Sequence, residues 1–127
     1  MNYEELNNKL KQLRNEDYIW IVYIGIIFAS WYANTLERSY YVNNDEEAKQ
    51  KYRQVMIYIF IVLVVVYLYF LKGSIEDLEN LKPTDSEQKK RLVTLSFIGT
   101  LFIALSGFIF LYIALEDQEL NVELAFN

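Results

Sequence analysis

Polar and apolar residues along this chain separate into blocks. Three runs, 18–36, 55–71 and 92–115, contain no charged side chain, and charge-rich segments divide them. At a helical rise of 1.5 Å per residue each run covers roughly 25–36 Å, against about 30 Å for the hydrocarbon core of a bilayer. Helices of a water-soluble bundle would carry a polar stripe toward water, and none of the runs has one. The runs also lack the period-two alternation of a spanning strand. The pattern predicts an all-α membrane protein, a single domain over 1–127, with three transmembrane helices, an N-terminal amphipathic helix and a short acidic and apolar C-terminal tail.

Outside the runs the periodicity changes. Residues 1–16 place Tyr3, Leu6, Leu10 and Leu13 at offsets of three and four, one face of a helix whose other positions include Glu4, Glu5, Lys9, Lys11 and Arg14. Two heptads are too few for a free coiled coil. Leu6, Leu10 and Leu13 are therefore expected to bury against the membrane surface, the rest of the chain or a partner. Asn15 and the acids after it suit a helix start, which predicts a break before the first span. Glu16 and Asp17 stand where a cleaved leader would be basic, so the first run is expected to remain as a span.

Segment 37–54 reads as a loop and helix start, with Asn44 and Glu47 at capping spacing. Segment 72–91 reads as a loop with an interfacial helical turn, Ile75, Leu78 and Leu81 sharing a face between Gly73 and Pro83. Thr84 and Glu87 repeat the capping spacing and predict a third helix starting near Asp85. In the tail, 116–127, Leu120, Val122, Leu124 and Phe126 alternate with Asn121, Glu123, Ala125 and Asn127. This strand-like period reads as apolar residues dipping into the interface or as an extended segment whose Leu120, Val122, Leu124 and Phe126 meet a partner.

Small residues recur at fixed spacing in two of the runs. Gly25, Ala29 and Ala33 are four apart in the first, and Ser96, Gly99, Thr100, Ala104 and Gly107 share an arc of the third. The second run has none. Apolar surface gains little from meeting apolar surface in lipid, so close approach and dispersion must hold helices together. These residues are expected to form the helix-packing seam, with the first and third helices touching each other or copies of themselves and the second filling the remaining side. A pathway lined by Ser96 and Thr100 is the competing role. Intramembrane charge, the usual companion of a pathway, is missing, and such hydroxyls can bond to their own helix.

Composition then narrows the function classes. With 12 Lys and Arg against 17 Asp and Glu, the net charge of -5 is unsuited to a nucleic-acid binder. There is no Cys and no His, which removes disulfides, thiol chemistry, Cys or His zinc ligation and imidazole catalysis. No catalytic residue, metal or cofactor is expected. Lys9, Lys11, Arg14, Lys72, Lys82, Lys89, Lys90 and Arg91 fall on one side of the spans, against Arg38, Lys49, Lys51 and Arg53 on the other. That bias predicts a multi-pass protein of the cell membrane with a cytoplasmic N-terminus and an outside C-terminus. The expected function is a non-catalytic interaction or accessory subunit in the lipid bilayer, forming a homo-oligomer or joining another membrane protein. A pore-forming oligomer, a small channel or holin-like protein, is the alternative. A membrane-embedded enzyme ranks third, for want of reactive groups.

Overall fold

The structure is a computed structural model that describes residues 2–124. Its elements are α1 (Tyr3–Asn43), α2 (Glu46–Glu79) and α3 (Glu87–Glu116), with no strand among the described residues. All three helices are long and apolar enough to cross a membrane. Trp20, Ile24, Ile27 and Trp31 on α1 and Phe102, Ile109 and Tyr112 on α3 are exposed. Lipid rather than water suits an apolar surface this continuous.

The amphipathic segment and the first span form one rod. α1 has 41 residues, about 61 Å of helix, so 3–17 continues about 22 Å beyond the charge-free run. The side chain of Asn2 accepts a hydrogen bond from the Glu5 amide at 2.8 Å, and Glu4 and Glu5 complement the helix dipole. The break expected at Asn15 does not occur. Neither Gly nor Pro interrupts 3–17, and a capping residue inside a helix cannot stop it without one.

The helix start expected within 37–54 falls at Glu46, and the loops themselves are shorter than the segments 37–54 and 72–91. Asn44 caps the C-terminus of α1 in the left-handed region, at φ 52°, which Asn tolerates better than most residues. Asp45, not Asn44, starts α2 by accepting from the Ala48 amide at 3.2 Å. Ile75 and Leu78 belong to α2 itself, because Gly73 alone does not end a helix that is packed on one side. Asp85 closes the following turn by accepting from the Lys82 amide at 2.7 Å, and Ser86, two residues beyond the expected cap Thr84, caps α3 through the Lys89 amide at 3.1 Å.

α2 is the central element. It packs on both α1 and α3, and α1 and α3 do not meet among the described residues. This corrects the expected contact between the first and third helices. The core lies along α2, where Phe60 and Met56 are 1% exposed and gather Ile59, Leu63, Ala33 and Ala114. Gly107 acts as a hole for the bulky side chains of α2. A Cβ at Gly107 would meet Tyr67 Cδ2 at 2.8 Å and Val64 Cγ2 at 3.3 Å, and Phe110 stacks on Phe60 with ring centroids 5.8 Å apart. Large against small interdigitates more fully than small against small unless two backbones can close up, so α2 takes the place expected for α1 on α3.

Candidate functional site

The expected seam divides into two sets. Ala33, Ala104 and Gly107 are buried, and Ala29 and Thr100 are half-buried at the faces turned toward α2. Gly25, Ser96 and Gly99 are exposed, and a Cβ at either glycine would meet nothing within 4 Å. Thr100 makes the cross-helix polar contact: its Oγ1 lies 2.6 Å from Ser74 Oγ, 2.9 Å separates Ser74 Oγ from the Leu71 carbonyl, and 3.0 Å separates Thr100 Oγ1 from the Phe97 carbonyl. Two hydroxyl protons serve three contacts, so one hydroxyl donates to the other while the second bonds its own helix. Ser74 was legible only in space, since it follows Lys72 and Gly73 outside the apolar run.

Because α1 and α3 stay apart, a cleft of about 670 Å³ remains between them, with α2 as its floor. Its inner part is lined by Tyr23, Tyr67, Thr100 and Ile103, and its outer part by Lys11, Glu16, Lys72, Glu76 and Asp77. Ser96 also faces it. At 100° per residue the cleft-lining Asn8, Lys11, Gln12, Asn15 and Glu16 lie on the side of α1 opposite Leu6, Leu10 and Leu13. The projecting part of α1 is thus polar toward the bundle axis and apolar outward. Leu6, Leu10 and Leu13 remain exposed, with no cover from the other described residues.

At the opposite end the tail folds back. Arg53 donates from Nε to the Asp117 carbonyl at 3.2 Å and from Nη2 to the Leu115 carbonyl at 3.3 Å, satisfying acceptors at the end of α3. Asp117 accepts from the Asn121 and Val122 amides at 3.0 and 2.8 Å, and Leu120 adopts φ 53°. Lys49, only 5% exposed, reaches Glu119 at 3.2 Å and sits 5.2 Å from the centroid of the Tyr40 ring. Over its described residues the tail therefore turns back on the bundle rather than lying extended. Leu124 is buried in the core with Ala33, Tyr52 and Met56, Leu120 packs against the same cluster, and Val122 is exposed. Phe126 lies outside the described residues. The eight-residue alternation carries no information about Arg53, which holds the carbonyls just before it from 62 and 64 positions away in the chain.

No family model matches the chain, and neither a curated protein nor a solved structure proved similar to it. The site therefore stands on its geometry. Among the described residues no group of three His, Cys, Asp or Glu side chains is placed to hold a metal ion.

The polar clasp has a pH window. The backbone hydrogen bond from Asn121, with a second from Val122, holds the Asp117 carboxyl below its ordinary 3.8. The hydrogen bond to Glu119 raises the Lys49 ammonium above 10.5. A depressed carboxyl stabilises the fold above its unfolded value and loses that contribution as pH falls through the folded one. A raised ammonium contributes below 10.5 and loses it at higher pH. A spin label on Val122→Cys should accordingly be immobile at neutral pH and become mobile as the pH drops below about 3.8. With Asp117→Asn added it should be more mobile at neutral pH too; a label equally ordered at all these pH values would dismiss the clasp.

Proposed function

We propose that this chain is a multi-pass protein of the cell membrane, its N-terminus cytoplasmic, that acts as a non-catalytic interaction subunit and associates with copies of itself. The observation that carries the reading is the open bundle. Among the described residues α2 has neighbours on both sides, whereas α1 and α3 each have one, leaving Gly25 and Gly99 on surfaces that no described residue approaches. Small residues on a spanning helix permit a backbone to come close, and here that room is unused by the described residues.

Association in mild detergent, measured by sedimentation and by crosslinking in native membranes, tests it. Wild type should run as an oligomer, and Gly25→Leu with Gly99→Leu should run as a monomer with unchanged helix content, since neither side chain clashes internally. A monomeric wild type, or a double variant that still associates, removes the proposal. A pore-forming oligomer is the second reading, favoured by the polar cleft that Ser96 and Thr100 face. Steady conductance from the reconstituted chain in planar bilayers supports that reading, and silence across voltages rejects it.

A further inference from the structure

The cleft between α1 and α3 is lined by charges of both signs. Lys11 and Lys72 line it together with Glu16, Glu76 and Asp77, yet none of the five forms an ion pair among the described residues. Charges of both signs thus line one space with no opposite pair within 4.0 Å among the described residues. A guest that carries both signs gains from each set, whereas a simple anion or cation meets repulsion from the other.

The placement selects the kind of guest. Asp17 and Lys72 mark the ends of the charge-free runs of α1 and α2, so the charged rim lies at headgroup depth and the inner lining at the start of the hydrocarbon. Beside the rim, Tyr23, Tyr67 and Ile103 provide amphipathic and apolar surface. The fourth side, between α1 and α3, is closed by no helix, so the surrounding bilayer has lateral access. Of the molecules in that bilayer, a phospholipid offers a phosphate for the lysines, an amine for the carboxylates and acyl chains for the inner part.

We propose that this cleft binds one phospholipid with a primary-amine, zwitterionic headgroup of the ethanolamine class, drawn sideways from the bilayer. The phosphate faces Lys11 and Lys72, and the ammonium donates to Glu16, Glu76 or Asp77. A primary ammonium has three N–H donors for these carboxylates. A choline headgroup has the same charge and no N–H, so it forfeits the charge-assisted hydrogen bonds.

Native mass spectrometry of the full chain, released from detergent with equimolar phosphatidylethanolamine, phosphatidylcholine and phosphatidylglycerol, tests this. One phosphatidylethanolamine should be retained about tenfold over phosphatidylcholine, the ratio one charge-assisted hydrogen bond carries. Glu76→Gln with Asp77→Asn should erase most of the preference, Lys72→Gln should lower retention of both zwitterionic lipids without changing their ratio, and Lys89→Gln with Lys90→Gln, outside the cleft, should leave retention and preference intact. Equal retention of the amine and choline lipids overturns the proposal, as does preference for the glycerol lipid. Soluble phosphoethanolamine should fail to displace the lipid at matched concentration; displacement would assign the cleft to a free zwitterion instead. The wild-type comparison involves no variant, so misfolding cannot obscure it, and its outcome is independent of whether the chain self-associates.

Discussion

Gly107→Leu should separate α2 from α3. The first carbon added at this position already meets the Tyr67 ring at 2.8 and 3.2 Å and Val64 at 3.3 Å, and leucine adds three more. The Tyr67 ring is stiff and Val64 beside it is buried, so the added carbons force the ring toward the cleft or the helices apart. Overpacking of a filled interior typically costs about 1–3 kcal/mol, and the middle of the α2–α3 seam belongs at the upper end of that range. The expected observation is an earlier loss of tertiary structure on titration with a denaturing detergent, accompanied by little change in helix content. Gly99→Leu provides the contrast, because a Cβ there meets nothing within 4 Å. If the two variants unfold at the same detergent fraction, the packing of α3 on α2 through Gly107 is refuted.

Phe60→Ala should be the other severe substitution. Phe60 is 1% exposed, sits in the core cluster and stacks on Phe110 at 5.8 Å. In water-soluble cores the same truncation costs about 3–5 kcal/mol, part of it transfer from water and part the cavity left behind. Here the unfolded side chain is surrounded by lipid, which shrinks the transfer part and leaves lost dispersion and the ring contact. A loss of about 2–3 kcal/mol is expected in a reversible unfolding equilibrium measured in detergent or bicelles. Phe102→Ala removes the same atoms from a position that is 64% exposed and should change stability little. Equal losses at the two positions would mean that the core is not where Phe60 lies.

The contrast between these phenylalanines shows where sequence reading stops. Both stand in uncharged runs with similar neighbours, and nothing in the local pattern separates the one that stacks from the one that faces outward. The same holds for Gly99 and Gly107, which share a face of α3 yet differ in what approaches them. Ser96 and Thr100 could be singled out by spacing, but Ser74, the partner of Thr100, and the charged rim of the cleft could not. Those residues come from separate elements, and only the antiparallel pairing of α1 with α2 and of α2 with α3 brings them to one end. Lys49, Arg53 and Glu119 at the other end are likewise distant in the chain, and each alone reads as an ordinary solvated charge.

By itself the amino-acid order determined that this protein is helical, that three of its stretches suit a bilayer and roughly where each begins. Hydrocarbon thickness and the need to satisfy backbone groups act on contiguous residues, so a linear pattern is enough to record them. Only the tertiary structure decided that α2 lies between the other two helices, that the tail returns to cover the core and that a polar cleft opens beside α1. Those outcomes depend on which knobs fill which holes and on charges far apart in the chain. Steric fit between distant surfaces leaves no periodic trace along the sequence.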